Sequence, residues 1–196
     1  MRKKIAVTGG IGSGKSTIVK ILREMGYPVF SCDEIYADLR ENAVYLQKLS
    51  ETFPQAVVNG RLDKKRLSSI VFNDSKQRER LNDLSHPIIM QTLFDLMNSQ
   101  SEPLVFAEVP LLFENGFEKD FNAVIVIRRN LNGRINAICQ RDSLSRGEAL
   151  QRIRAQFDYD DLDNQNYLRS INAYFIQNDG SKSDLQKKVT DMLKTL

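Results

Sequence analysis

The segment VTGGIGSGKSTI, Val7 to Ile18, limits what this chain can fold into more than any other stretch, because Gly9, Gly14, Lys15 and Ser16 satisfy GxxxxGK[ST]. An apolar run precedes it and a helical pattern follows, the context that gives the motif its meaning. Glycines permit positive φ and close approach, so successive backbone N–H groups can converge on phosphate oxygens. The N-terminus of the next helix adds its positive dipole. In such a loop Gly10, Gly12, Ser13 and Gly14 line the phosphate cradle and Lys15 reaches the β- and γ-phosphates of a nucleotide. Ser16 holds Mg²⁺ through its hydroxyl, and Thr17 assists at the α-phosphate. A glycine-rich turn without a ligand is the competing reading. The loop alone does not separate kinase from GTPase, motor or regulator, although an NKxD-like guanine signature is missing from the chain.

Five runs rich in β-branched or aromatic residues predict strands: Lys4–Thr8, Pro28–Cys32, Leu104–Val109, Ala123–Arg128 and Ala173–Asn178. Helical patterns separate them. Near-continuous apolar runs joined by helices imply a parallel sheet covered on both faces, an α/β fold with three layers. Asp74 with Gln77, and Ser145 with Glu148, have capping-box spacing, and Leu185, Val189, Met192 and Leu193 form one stripe of a terminal helix. Pro87 is expected to break or restart the helical region from Asp74 to about Met97. Between the second and third strands lies a long helical stretch with no convincing strand, far beyond an ordinary connection. It reads as an inserted lobe able to embrace an acceptor. A second helical excursion, from Asn130 to about Arg169, is placed to close over phosphates.

Composition narrows the class. A chain of 196 residues suits one globular unit, with room for a small inserted lobe. No apolar run approaches the roughly 18–20 residues that cross a bilayer, and the opening MRKKIAVTGG is too short in apolar residues for a signal peptide. Cys32 and Cys139 make neither a CxxC pair nor a disulfide framework, which fits a reducing cytoplasm. With 28 basic residues against 25 acidic ones, a nucleic-acid partner is not expected. The local surplus is more telling: Arg128, Arg129, Arg134, Arg141, Arg146, Arg152 and Arg154 crowd one stretch suited to an anion.

Asp33 follows the second strand, where carboxyl ends of parallel strands open on a crevice, so its carboxylate is a candidate base for an alcohol acceptor. A helix N-cap is the equal alternative. Glu108 ends the third strand and is a candidate for holding Mg²⁺ through water; a buried carboxylate satisfied by backbone is its alternative. His86, the one histidine, reads by residue type as a capping or surface residue rather than a catalyst, and its place in the inserted lobe favours ligand contact over chemistry. Arg141 is the arginine favoured for phosphate charge, since a fixed planar cation suits charge spread over equatorial oxygens. Arg152 and Arg154 lie two apart on a helix, so one of them faces the cleft.

TGGIGSGKST, VFND (Val71–Asp74), LSHPII (Leu84–Ile89), VPLLFE (Val109–Glu114), RDSLS (Arg141–Ser145), RIRAQ (Arg152–Gln156) and IQNDG (Ile176–Gly180) follow the order and spacing of dephospho-coenzyme A kinases. The resemblance spans nearly the whole chain. It implies an ATP- and Mg²⁺-dependent kinase of P-loop kinase fold that phosphorylates the ribose 3′-hydroxyl of dephospho-coenzyme A, the last step of coenzyme A synthesis. It also implies a nucleotide-binding core (1–33, 100–129, 170–196), an acceptor-binding lobe (34–99) and a lid (130–169); sequence leaves the oligomeric state open, with a monomer as the default and no membrane expected. The residues it implies are Asp33, Lys15 and Arg141 for catalysis, and Asn178 and Gly180 near the adenine. His86, Lys64, Pro110 and Leu111 are implied at the acceptor. Several positions depart from the family pattern. Ser31 stands where the family shows the first of two aspartates, Lys64 where it shows arginine, Leu162 where it shows lysine, and Asn172–Ala173 where it shows Ala-Asp. Another small-molecule P-loop kinase, or an ATP-binding regulator that lost catalysis, are the alternative readings.

Overall fold

The computed structural model describes residues 2–72 and 74–196; Met1 and Asn73, the latter inside the VFND segment, lie outside the described residues. In chain order the elements are β1 (Lys3–Gly9), α1 (Lys15–Glu24), β2 (Val29–Ser31), α2 (Cys32–Leu39), α3 (Ala43–Thr52), β3 (Val57–Val58), β4 (Arg61–Leu62), α4 (Lys64–Phe72), α5 (Ser75–Asn98), β5 (Leu104–Glu108), β6 (Ala123–Arg128), α6 (Leu131–Asp142), α7 (Arg146–Arg154), α8 (Leu162–Ser170), β7 (Ala173–Gln177) and α9 (Lys182–Leu193). They divide into two compact units, Met1–Val29 with Gln100–Leu196, and Phe30–Ser99. The second unit coincides with the inserted stretch read from sequence, which is long enough to bury an apolar core of its own.

The sheet has five strands in the order β2-β5-β1-β6-β7, of which β1, β5, β6 and β7 lie wholly within the first unit. β1 runs parallel to β5 and to β6, and β6 parallel to β7. In register, Ile5 stands beside Phe106 on one side and Ala123 on the other. Strands covered on both faces need apolar side chains at nearly every position, which is why Ile5, Ala6 and Val7 are all fully buried. One face packs α1 and α9 through Ile18, Ile21, Leu22, Leu185, Val189 and Met192 against Ile5, Phe106 and Ile125. Truncating a fully buried residue here, such as Ile125→Ala, is expected to cost roughly 2–5 kcal/mol. The terminal stripe expected from sequence is therefore the buried face of α9. A separate cluster joins α6 and α7 through Ile135, Ile138 and Ala149, with Ile11, Leu150 and Ile153 against it. Ser145 and Glu148 form the reciprocal capping box that starts α7.

The second unit packs Tyr45, Leu46, Leu49 and Phe53 of α3 and its C-cap against Leu67 of α4 and Leu81, Leu84 and Ile88 of α5. Two sequence expectations are corrected here. Pro87 does not end the helix: α5 runs unbroken from Ser75 to Asn98. Proline removes one donor to the carbonyl four residues back, Asp83, and both residues are exposed, so water can satisfy that carbonyl. Ser85, Ile89, Met90, Leu93 and Met97 are buried beyond and before the proline, and that packing outweighs the local preference. The stretch also contains a small antiparallel hairpin, Val57 paired with Leu62 and Val58 with Arg61. Asn59 and Gly60, at φ 51° and 72°, make its turn, the left-handed pair that Asn-Gly supplies in a two-residue hairpin. Asp74 caps α5 by accepting from the N–H groups of Lys76 and Gln77, while the Gln77 side chain accepts from Arg80.

Candidate active site

The phosphate loop occupies the turn from the end of β1 to the start of α1. Gly14, at φ 97°, is the N-cap of α1, and no acidic residue lies in the first turn of that helix. The positive end of the helix is therefore left without a carboxylate and faces whatever the loop holds. Gly12 is required twice over: its φ is 77°, and a Cβ there would lie 2.6 Å from the Arg134 carbonyl oxygen. Ser13 donates its N–H to the Gly10 carbonyl at 3.1 Å. Lys15 Nζ donates to the carbonyls of Gly9 at 2.6 Å and Gly10 at 3.3 Å, so the ammonium lies folded over the loop. Ser16 is exposed and Thr17 half-buried.

Several elements of the first unit converge on this loop. Asn178, just after β7, donates its N–H to the Arg128 carbonyl at 2.8 Å and its amide Nδ2 to the Ser13 carbonyl at 2.7 Å. Asp179 accepts from the N–H and the side-chain amide of Asn130 at 2.9 and 2.7 Å. Those bonds, the backbone one foremost, hold the Asp179 carboxyl below its usual range. Gly180 is exposed beside Asp184. Gly10, Ser13, Ile127, Arg128, Arg129, Arg134, Tyr159 and Asp160 line one small cleft. Arg128 donates to the Tyr159 carbonyl and to Asp160, and Arg129 Nη1 lies 3.5 Å from the Gly12 carbonyl oxygen. Burial is what pushes the Tyr159 phenol up, with Glu114 adding to the effect.

Arg141, the arginine favoured from sequence, pairs with a neighbouring carboxylate and is not among the residues lining that cleft. Its Nε and Nη2 donate to the two carboxylate oxygens of Asp142 at 2.7 and 3.0 Å, and Arg152 donates to the same carboxylate at 2.9 Å. The Arg141 guanidinium is held up by that pairing and Asp142 is held down. The arginines on the cleft beside the loop are instead Arg128, Arg129 and Arg134.

Glu108 is the last residue of β5 and stands in register with Val7 of β1, half-buried, two residues before the loop begins. Val109 N–H bonds to the Val7 carbonyl at 3.1 Å, and Thr8 Oγ1 donates to the Val109 carbonyl at 2.9 Å, which fixes the strand end. Pro110 and Leu111 follow. Leu111 is at φ 51° with its side chain 43% exposed. A left-handed conformation costs a leucine about 1–2 kcal/mol, and such strain collects at functional sites. Glu114 accepts from the Phe157 N–H at 2.7 Å, tying the segment to the chain after α7.

In the second unit Asp33 is the second residue of α2 and is exposed; Ser31 takes the N-cap position, which removes the capping alternative for Asp33. Lys64 opens α4 and lines an open depression with Lys65, Ser68, Ser69 and Phe72. His86 lies half-buried within α5, its imidazole lowered from 6.5 by burial in spite of the opposing charge of Asp83.

For Mg²⁺, the candidate donors are one hydroxyl, Ser16, and one carboxylate, Glu108, with no group of three or more His, Cys, Asp or Glu arranged for a metal among the described residues. That sparse set fits an ion that keeps its waters and binds through substrate phosphates. Sequence reasoning passed over Gln156, which accepts from the Ile11 N–H at 2.6 Å, and gave Arg134 no role of its own. Gln156 ends the RIRAQ segment and Arg134 belongs to the arginine-rich stretch, but nothing in residue type distinguishes either from its neighbours.

A glycine-rich loop running from a central parallel strand into an uncompensated helix N-terminus, in a sheet of order β2-β5-β1-β6-β7, defines a P-loop α/β protein of the kinase type. A shikimate kinase from Acinetobacter baumannii shares this fold at TM-score 0.54 and 16% identity, over 100% of this chain and 94% of that one. The family model described as Dephospho-CoA kinase matches residues 3–184. A relative from Thermus thermophilus named dephospho-CoA kinase is 37% identical over 98% of this chain and 91% of its own, and one from Fusobacterium nucleatum is 32% identical over 98% and 97%. A crystal structure from Thermus thermophilus matches at TM-score 0.82 and 36% identity over 100% and 98%. The dephospho-CoA kinase from Campylobacter jejuni matches at 0.69 and 29%, over 99% and 96%. The chain belongs to the dephospho-CoA kinase family.

Proposed function

We propose that this chain transfers the γ-phosphoryl group of ATP to the ribose 3′-hydroxyl of dephospho-coenzyme A, giving ADP and coenzyme A, in the cytoplasm. The observation that carries the reading is the phosphate loop, with Lys15 lying over it and a helix N-terminus behind it, in a chain that matches one kinase family over nearly its whole length.

Backbone N–H groups of the loop bind the phosphate oxygens, and Lys15 leaves the Gly9 and Gly10 carbonyls to neutralise charge building on the transferred group. Asp33, exposed in the first turn of α2, accepts the proton of the acceptor hydroxyl as that oxygen bonds to phosphorus and the bond to the ADP oxygen breaks. Arg141 exchanges Asp142 for a phosphate as the segment 130–169 closes and excludes water. Ser16, and Glu108 through water, are the residues that would hold Mg²⁺. When bound, the ion would draw charge from the β- and γ-oxygens. Residues 34–99 bind the acceptor, with Lys64 suited to its phosphates and His86 to its polar groups. Pro110 and Leu111 offer an apolar contact, and Asn178 and Gly180 border the adenine of ATP.

Incubation with Mg·ATP and a panel of dephospho-coenzyme A, nucleosides and nucleotides tests the reading. Turnover with dephospho-coenzyme A alone is expected, and Asp33→Asn should lower it by about 10²–10⁴-fold while leaving ATP binding in place. Turnover with a nucleoside and none with dephospho-coenzyme A would assign another acceptor. A chain that binds ATP and transfers nothing would be a regulator.

A further inference from the structure

Ile11, at the crown of the phosphate loop, is held on both sides of its backbone by side chains from far along the sequence. Its N–H donates to Gln156 Oε1 at 2.6 Å, just beyond α7, and its carbonyl accepts from Arg134 Nε at 3.0 Å, on α6. Arg134 is 9% exposed, and its Nη2 is buried with no hydrogen-bond partner. That nitrogen occupies the space a Cβ on Gly10 would need, and the Arg134 carbonyl crowds Gly12 in the same way. The glycines on either side of Ile11 thus admit this arginine. Burial presses the guanidinium toward its neutral form, against the pull of Asp160, Tyr159 and Asp158. A desolvated cation with an unused donor is costly unless something uses its charge.

We infer that Arg134 and Gln156 are positioning residues for the nucleotide. Together they fix the Ile11 peptide, so that the neighbouring N–H groups stay aimed at the phosphates, and Arg134 adds positive charge beside the loop. The inference rests on the reading of this loop as the ATP site, and it gives Arg134 a part that the sequence reserved for Arg141. Because both side chains act on one peptide, their effects on nucleotide affinity are not additive.

The test uses the full chain and ADP affinity by calorimetry, which needs no acceptor. Arg134→Gln is expected to weaken ADP by about tenfold or more and to raise the KM for ATP in step, with the KM for dephospho-coenzyme A unchanged. Arg134→Lys keeps the charge without the planar fork and should recover part of the loss. Gln156→Ala should weaken ADP at an unchanged thermal transition, and Arg134→Gln combined with it should lose less than the two single losses added together. ADP affinity equal to the wild type in folded Arg134→Gln overturns the inference. If Arg134→Gln does not fold, wild-type affinity in both Arg134→Lys and Gln156→Ala overturns it instead. A chain that binds ADP as described but leaves dephospho-coenzyme A untouched would refute the proposed acceptor and leave this inference standing.

Discussion

Lys15 and Leu111 are the two residues at which the proposed function is most directly tested. The Lys15 ammonium bonds to the Gly9 and Gly10 carbonyls of its own loop, and in the proposed function it turns to the phosphates. Lys15→Ala should leave the thermal transition nearly unchanged and reduce kcat/KM by about 10²–10³-fold; a large drop in stability with little loss of rate would contradict this. Leu111 keeps a left-handed backbone and an exposed side chain together. Leu111→Gly is expected to raise stability by up to about 1 kcal/mol in chemical denaturation, whereas Leu111→Ala keeps the strain and should not; both should raise the KM for the acceptor. An unchanged KM in both variants would remove Leu111 from the acceptor site. At this scale the loop was legible because its motif is local and each glycine answers a local demand. Arg134 and Gln156 were not, because what marks them is a contact made 123 and 145 residues away.

At the scale of elements, α5 shows how packing outweighs a local rule. Pro87 lies in the interior of a helix and is exposed, so its cost is not repaid by burial of its own ring. Pro87→Ala should therefore stabilise the chain by up to about 3 kcal/mol in denaturant unfolding, and if the His-Pro pair serves the acceptor it should also lower activity. Destabilisation would show that the proline is needed for the helix. His86 on the same helix supplies a pH dependence. Its folded pKa lies below 6.5, so above about pH 6.5 folded and unfolded chains are both neutral there. As pH falls from 6.5 toward the folded pKa, the unfolded chain binds the extra proton and stability is lost. Unfolding free energies measured between pH 7 and pH 5 should fall less steeply for His86→Gln than for the wild type, and equal slopes would refute the assignment. The sheet strands, the α7 capping box and the α9 stripe were readable because period and spacing carry them. The Asn59–Gly60 hairpin was also written in the sequence, but its two-residue strands are too short to stand out between helices. The continuity of α5 through Pro87 was not, since it depends on helices that pack beside it.

For the whole molecule, the order of strands and helices could be anticipated from alternating apolar runs and helical patterns. The inserted lobe was legible from the length of the helical stretch, but its core was not, because it draws on α3, α4 and α5, which are separated in sequence and meet only in space. Ser31 is buried at the head of α2 and leaves Asp33 as the exposed aspartate of that turn. The central claim is that a phosphoryl group passes from ATP to one hydroxyl of dephospho-coenzyme A. The most direct measurement follows label from [γ-³²P]ATP into product in the presence of Mg²⁺ and locates it on the acceptor. Label on the ribose 3′-oxygen, lost in Asp33→Asn, is the predicted result; label on another oxygen, or release as inorganic phosphate alone, would contradict the account.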